Sequence, residues 1–203
     1  MIQKYTYGTP FETDAIVTSI PASEGTPAYG TISTENGFSF TYDMDDNDVV
    51  YGLGESSRGI NKRGYVYESN CSDQPNHTED KISLYGAHNF LVISGKQTFG
   101  LFVDYPGKLK FDIGYTLSSQ LKITCEDADL YLYVIEGETP YDIVKQFRKI
   151  IGRSYIPPKF AFGFGQSRWG YTTKEDFRKV AAGYRENHIP IDMIYMDIDY
   201  MQS

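Results

Sequence analysis

The strongest fold signal in this sequence is the nine-residue stretch IDMIYMDID, which runs from Ile191 to Asp199. In an extended strand, successive side chains point to opposite faces of the sheet. One face of this stretch is then apolar, whereas the other presents two carboxylates near its carboxyl end. The apolar face comprises Ile194, Met196 and Ile198, and the polar face comprises Tyr195, Asp197 and Asp199. The pattern predicts a strand that packs on helices and ends in acidic residues.

A second strand and a helix are predicted before this stretch. The run Phe160–Gly165 is short and apolar, which indicates a strand. The segment Thr173–Asp176 resembles a capping box, and an apolar stripe follows it at helical spacing. The stripe consists of Phe177, Val180, Ala181 and Tyr184. A strand, a crossover helix and a strand in so few residues indicate a parallel pair, which cannot bury its own two faces. We therefore expect the chain to stop inside a second domain.

A helix and a stiff connector lead into this unit. Thr139 fits a helix N-cap, Pro140 the first helical position and Asp142 an acidic first turn. Gly152 predicts the end of that helix, and the two prolines of Ile156–Lys159 exclude a helix interior there. We assign residues 139–158 to a linker and residues 159–203 to the start of a parallel α/β domain.

The sequence before residue 139 has the pattern of an antiparallel β-sandwich. Short β-branched and aromatic runs alternate with turn sequences, and a polar stretch at Glu68–Lys81 predicts a long surface loop. The predicted strands are Tyr29–Ile32, Phe38–Tyr42, Val49–Leu53, Tyr65–Tyr67, Phe90–Ile93, Thr98–Asp104, Leu121–Thr124 and Leu130–Ile135. We assign residues 1–138 to this sandwich.

The composition restricts the classes of partner. The chain is 40% apolar and 23% charged, with a net charge of −8 and no basic block, which argues against nucleic acid as a partner. No run is long enough to cross a bilayer, and the N-terminus has no signal-peptide core. Two cysteines predict reduced thiols in a cytoplasmic protein. Aromatic residues reach 15%, mostly Tyr, which suits sugar binding but also simply favours strands.

The candidate site lies where the predicted parallel strands end, because ligands bind at that edge of α/β sheets and barrels. Asp197 is there, and so is the loop Gln166–Tyr171, which holds the single tryptophan, Trp169. Instead of binding a ligand, Asp197 could act as a helix N-cap or as a member of a buried ion pair. Trp169 could instead be packed under its own loop. The three histidines lack zinc-site spacing, so neither a metal nor another cofactor is expected.

Four segments resemble glycoside hydrolase family 31, the α-glucosidase and α-xylosidase family. They are YGLGE at 51–55, PPKFAFG at 157–163, QSRW at 166–169 and, most specifically, DIDYM at 197–201. The resemblance covers most of the chain and implies an N-terminal β-sandwich followed by a (β/α)₈ barrel. Such a barrel needs roughly 250 residues, so residues 159–203 are expected to form only its first βαβ unit.

The resemblance also implies roles for individual residues. Asp197 matches the aspartate that binds hydroxyls of the non-reducing sugar in subsite −1, and Ile198 belongs to the same motif. Trp169 matches an aromatic position that lines the substrate pocket. Asp73, in the long sandwich loop, matches an aspartate at the +1 sugar. Asp199 is expected to be structural, and the nucleophile and the acid/base of the family lie on later barrel strands, so no catalytic residue is expected in this span.

These points predict the N-terminal portion of a retaining, exo-acting α-glucosidase that acts on α-1,6- or α-1,4-linked oligosaccharides and is inactive as an isolated fragment. An α-xylosidase or a transglucosidase of the same family remains an alternative, as does a non-catalytic sugar-binding or interaction module. α-Glucoside oligosaccharides are the expected partners. A homo-oligomer is possible, and the sequence does not determine the oligomeric state, the linkage preference or the substrate length.

Overall fold

The computed structural model describes residues 1–201 and divides the chain into two compact units, Met1–Arg153 and the residues from Ser154 onward. The first unit is built of strands and one helix. Its elements are β1 (Ile2–Tyr7), β2 (Thr31–Ser33), β3 (Phe38–Asp43), β4 (Val49–Gly54), β5 (Tyr65–Ser69), β6 (Ala87–Ser94), β7 (Thr98–Asp104), β8 (Leu109–Ile113), β9 (Gln120–Cys125), β10 (Leu130–Glu136) and α1 (Pro140–Ile151). The second unit contains β11 (Gly165–Gln166), α2 (Lys174–Glu186) and β12 (Met193–Ile194), with short 3-10 helices at Lys159–Phe162 and Ile198–Tyr200.

The strands of the first unit form two five-stranded antiparallel sheets. Their orders are β1-β10-β7-β6-β4 and β2-β3-β9-β8-β5. The sequence alternation produces this arrangement directly: in β3, Phe38, Phe40 and Tyr42 are buried while Ser39 and Thr41 between them are partly exposed. These buried side chains join those of both sheets in one apolar cluster. The predicted antiparallel sandwich is confirmed.

The first sheet is covered on its outer face as well, which is why β10 is buried on both sides. Tyr133 and Ile135 of β10 lie on the face opposite the sandwich core and pack with Ile143 and Ile150 of α1, all fully buried. Each such aliphatic side chain contributes about 1.5–3 kcal/mol relative to an exposed one. The helix starts as predicted, with Thr139 as N-cap in a full capping box, and it ends before Gly152. The helix of the predicted linker 139–158 packs on the first unit, and the division between the two units, after Arg153, falls inside that linker.

The N-terminal segment also covers this outer face and buries a carboxyl group there. Asp104, at the end of β7, is only 4% exposed, and the Thr13 hydroxyl donates to its Oδ1 at 2.6 Å. Burial raises the pKa of Asp104 above its ordinary value, while the Thr13 hydrogen bond opposes that shift. Nearby, the Tyr131 hydroxyl donates to Glu12, and the Lys4 ammonium lies 3.7 Å from the centre of the Tyr131 ring. No pattern in the sequence predicted this polar cluster.

Two strands of the sandwich, β1 and β8, are absent from the strands that the sequence predicts. β1 has the sequence IQKYTY, and β8 has LKFDI, whose alternation is clear in the structure: Leu109, Phe111 and Ile113 are buried. β8 lies between β9 and β5, so it joins two predicted strands into one sheet.

In the second unit, the predicted parallel pair is present but much shorter than predicted. Gly165 pairs with Met193, and Gln166 with Ile194. The prediction of a strand at Phe160–Gly165 is wrong, because backbone bonds such as Gly163 N to Phe160 O (3.0 Å) curl this run into a 3-10 turn. The predicted strand to Asp199 is also wrong: the ladder ends with Tyr195 N donating to Gln166 O (2.9 Å), and a 3-10 turn follows. The alternation that placed Asp197 and Asp199 on one strand face therefore does not apply.

Helix α2 begins where the sequence predicts. Thr173 is its N-cap, and its side chain and that of Asp176 complete a capping box. Within residues 1–201, no helix has the length and apolar content needed to cross a bilayer.

Candidate functional site

The Trp169 loop, residues 167–170, follows β11 and carries the tryptophan on an exposed turn. The indole side chain is 71% exposed, so packing within the described residues does not fix it. Gly170 has φ +101°, a conformation that side-chain-bearing residues rarely adopt. The position of the indole therefore depends on how the backbone of this loop is held.

The base of the loop is held by the amide of Gln166. Its Oε1 accepts from the Tyr184 hydroxyl at 2.6 Å, and its Nε2 donates to the Tyr171 hydroxyl at 3.1 Å. Tyr184 lies in α2, and Tyr171 packs edge-on against Phe177 of the same helix, with ring centres 5.4 Å apart. One amide thus ties the end of β11 and the end of the loop to the helix.

The tip of the loop is held by Asp199. The Gly170 N–H donates to Asp199 Oδ2 at 2.8 Å across 29 positions of sequence. Asp199 lies in the 3-10 turn after β12, so this bond joins the loops that leave the two parallel strands. Asp199 was expected to be structural, and in the structure it holds the backbone of the Trp169 loop.

Asp197 occupies the N-cap of that 3-10 turn. Its Oδ1 accepts from Ile198 N at 2.7 Å, and the residue is half-buried. Among residues 1–201, its Oδ2 accepts no hydrogen bond. The N-cap alternative is therefore realised, and it leaves the binding role open. Ile198 beside it is 63% exposed.

Asp73 lies in the first unit, in the long loop between β5 and β6, which we call the Asp73 loop (residues 70–86). It is exposed and accepts a hydrogen bond from the Tyr85 hydroxyl, and this bond raises the pKa of Tyr85. The prediction of a long surface loop is correct. Asp73 is thus the one predicted site residue outside the second unit, where Trp169, Asp197 and Ile198 share two adjacent loops.

Arg58 anchors the Asp73 loop and was missed in the sequence. Its guanidinium donates to Val66 O (2.8 Å) in β5 and to Glu79 O (2.6 Å) and Asp80 O (3.4 Å) in the loop. It also lies 4.3 Å from the centre of the Tyr65 ring. The loop is thereby attached to β5 through backbone carbonyls, for which a sequence carries no signal.

The YGLGE segment closes the other end of the same loop. Its register against β6 shifts between Gly52 and Gly54, and a Cβ on Gly52 would lie 2.3 Å from Phe90 O. The irregular turn brings Glu55 to Gly86: Glu55 N donates to Gly86 O (2.7 Å), and Gly86 N donates to Glu55 Oε2 (3.0 Å). The motif thus shapes the loop rather than presenting a reactive group.

The described part of the chain, residues 1–201, holds no group of three or more His, Cys, Asp or Glu side chains arranged to bind a metal ion. Neither cysteine is in a disulfide: Cys71 is exposed, and burial raises the pKa of the Cys125 thiol to about 11.

Comparison with known proteins identifies the family. A model described as the galactose mutarotase-like N-terminal domain of glycosyl hydrolase 31 matches residues 11–112. A second model, the TIM-barrel domain of glycosyl hydrolases family 31, matches residues 154–203. The chain belongs to glycoside hydrolase family 31. Its architecture is thus the predicted β-sandwich followed by the start of a TIM barrel.

Individual proteins that are similar to this chain agree with this assignment. The chain is 33% identical to "Alpha-glucosidase 2" of Bacillus thermoamyloliquefaciens over 83% of its own length, and 27% identical to an alpha-xylosidase of Lactiplantibacillus pentosus over 76%. A family 31 dextranase of Flavobacterium johnsoniae, solved with isomaltotriose, superposes with a TM-score of 0.77 and 29% identity over 84% of the chain. The chain spans 23%, 20% and 21% of the lengths of these three proteins.

Proposed function

We propose that the full-length protein is a retaining, exo-acting α-glucosidase that releases glucose from the non-reducing ends of α-linked oligosaccharides. This chain supplies sugar-binding groups to it, and the two catalytic carboxylates lie on other barrel strands. The observation that carries the proposal is Asp197, a half-buried carboxylate in the family motif that follows a parallel barrel strand, whose Oδ2 accepts no hydrogen bond from residues 1–201.

The chemistry of Asp197 suits a sugar hydroxyl. A carboxylate accepts strong, charge-assisted hydrogen bonds, and the Ile198 N–H already orients the group by holding Oδ1. The exposed Ile198 and Trp169 side chains offer apolar surfaces of the kind that pack on sugar C–H groups. We propose Asp197 and Ile198 for the sugar in subsite −1 and Trp169 for the pocket wall, with Asp73 as a candidate for the +1 sugar.

Retaining hydrolysis needs one carboxylate as nucleophile and a second as acid/base. Asp197 caps a turn and Asp199 holds a loop, so we assign neither to those roles. We therefore expect the polypeptide 1–203 alone to release no glucose from maltose or isomaltose, and turnover by this polypeptide would refute that part of the proposal.

The main test is incubation of the full-length gene product with maltose and isomaltose. We expect glucose from at least one of them, and release from neither contradicts the proposal. Asp197→Asn should lower kcat/KM about 10- to 100-fold, because it weakens charge-assisted hydrogen bonds to the sugar. Asp192→Asn is the matched control, since Asp192 lies at the other end of the same strand and accepts from Phe164 N.

We further propose a preference for α-1,6 linkages, in which the Trp169 indole limits the space beside the +1 sugar. The 29% identical dextranase solved with isomaltotriose supports this direction. Trp169→Tyr should change the ratio of kcat/KM for isomaltose to that for maltose. An unchanged ratio would remove the role of Trp169 in linkage choice.

A second candidate is an α-xylosidase, which the relative from Lactiplantibacillus pentosus favours. Parallel assays with 4-nitrophenyl α-glucoside and α-xyloside distinguish the two, and faster cleavage of the xyloside selects the second. Transfer products formed at high disaccharide concentration would indicate a transglucosidase. If the full-length protein binds saccharides but hydrolyses none of them, the remaining alternative is a non-catalytic sugar-binding module.

A further inference from the structure

The side chain of Asp199 is committed to the backbone of a loop rather than to its own turn. The 3-10 turn that contains Asp199 is capped by Asp197, so Asp199 is not needed as its cap. Its hydrogen bond instead goes to Gly170 N at 2.8 Å, 29 residues earlier in the chain. No salt bridge in the described part of the chain, residues 1–201, involves Asp199.

Gly170 directly follows Trp169, so this bond acts on the peptide next to the indole. The Trp169 side chain is 71% exposed, and the aromatic contacts of the second unit involve other rings. Gln166 holds the base of the loop, and among residues 1–201 only the Asp199 side chain bonds to its tip. Gly170 has φ +101°, and because glycine has no Cβ, its backbone is less restrained sterically than that of any other residue type.

We propose that Asp199 is a positioning residue that sets the place of the Trp169 indole and thereby the linkage preference of the enzyme. This inference rests on the proposed function for its substrate readout. The carboxylate fixes the Gly170 amide with a charge-assisted bond, which is stronger and more directional than a neutral one. Loss of this bond leaves the loop attached only at its base, so the indole no longer defines the space for the +1 sugar.

The test uses Asp199→Ala and Asp199→Asn in the full-length protein. We expect Asp199→Ala to change the ratio of kcat/KM for isomaltose to that for maltose about tenfold, since a misplacement of about 1 Å near a reacting bond has effects of this order or larger. Asp199→Asn keeps an oxygen that can accept from Gly170 N, so it should restore most of the ratio.

A matched control is Asp192→Ala. Asp192 Oδ2 also accepts a backbone N–H from a residue 28 positions away, Phe164, at 3.0 Å, but before β12 rather than after it. Its removal costs the same kind of bond without touching the Trp169 loop. We expect the isomaltose-to-maltose ratio to stay unchanged in this variant, and an equal shift in both variants would overturn the positioning role.

A double-mutant cycle separates positioning from general structural damage. If Asp199 acts through the indole, Asp199→Ala should not change the ratio further in a Trp169→Ala background, so the two effects are non-additive. Independent, multiplicative effects would contradict the proposal. An unchanged ratio in a folded Asp199→Ala variant would do the same.

A readout without substrate keeps this inference distinct from the proposed function. Hydrogen exchange of peptides that span residues 165–172 should be faster in Asp199→Ala than in the parent protein, and unchanged in Asp192→Ala. If the parent protein hydrolyses neither disaccharide, the proposed function and the linkage role fail together. If exchange at this loop is the same in Asp199→Ala and in the parent, the positioning role itself fails.

Discussion

The two units bury their apolar side chains to very different degrees. In the first unit, six of the seven residues of β10 are buried, since one face meets the sandwich core and the other meets α1 and the N-terminal segment. In the second unit, Tyr171 alone is buried among the described residues, while Phe160, Phe162 and Met196 are 54%, 73% and 61% exposed. The first unit therefore has its own stabilising core. The second unit exposes apolar side chains of the kind that neighbouring strands and helices cover in a complete barrel.

The difference follows from how each sheet closes. Antiparallel sheets can pair with each other and form a core between them, as β3 and β7 do here through their alternating residues. A parallel pair needs neighbouring strands and helices on both faces, which a complete (β/α)₈ barrel provides. Stability in the polypeptide 1–203 should accordingly reside in the first unit. Two pairs of variants compare the units directly, and a third pair examines a buried carboxyl group of the first unit.

The largest difference is expected for one substitution made in each unit. Phe111→Ala empties a site that is 1% exposed in the sandwich core and should cost about 3–5 kcal/mol. Phe162→Ala acts at a side chain that is 73% exposed and should stay within about 0.5 kcal/mol. Urea unfolding of the dilute polypeptide 1–203, followed by far-UV circular dichroism, measures both. Equal losses in the two variants would mean that the units share one core.

A smaller effect is expected at Asp104, where burial holds the pKa above the ordinary value of 3.8. The folded state then binds the proton more tightly than the unfolded state, so stability falls as the pH rises from 3.8 through the raised folded value. Asp104→Asn keeps an acceptor for the Thr13 hydroxyl without the charge. Relative to the parent, it should gain about 1 kcal/mol or less between pH 3 and pH 7.

Denaturant unfolding at several pH values checks this prediction. The Thr13→Val variant is the companion, because the Thr13 hydroxyl favours the ionised carboxyl, and its loss should steepen the fall of stability with pH. A parent and an Asp104→Asn protein with parallel pH profiles would show that this carboxyl is not linked to folding.

An effect of similar size is expected from the two helix caps, each a capping box built from a Thr and an Asp. Thr139→Ala removes the oxygen that accepts from Asp142 N (3.2 Å) and should destabilise the sandwich by about 1 kcal/mol, because α1 buries Ile143 and Ile150. Thr173→Ala removes the same contact to Asp176 N (3.2 Å) in α2, which buries no residue. It should lower helix content without moving the main transition. Circular dichroism at 222 nm and the urea midpoint distinguish these results.

Strands with alternating burial and helix starts with capping residues could be predicted from the sequence. Contacts between a side chain and backbone groups far away in the chain could not. Phe38, Phe40 and Tyr42 revealed β3 because period-two burial is visible in the residues themselves. The end of β12 was predicted wrongly because the ladder stops at Tyr195 and Asp197 then caps a 3-10 turn, whereas the apolar alternation continues unchanged through that turn. The hydrogen-bond partners of Asp199 and Arg58 could not be predicted, since each side chain binds main-chain atoms that every residue type provides.

The anchoring of the Asp73 loop by Arg58 has an evolutionary consequence. The guanidinium grips carbonyl oxygens of Val66, Glu79 and Asp80, and those oxygens persist whatever side chains the loop acquires. Substitutions along this segment can therefore change its side chains while its attachment to β5 through these carbonyl oxygens is kept.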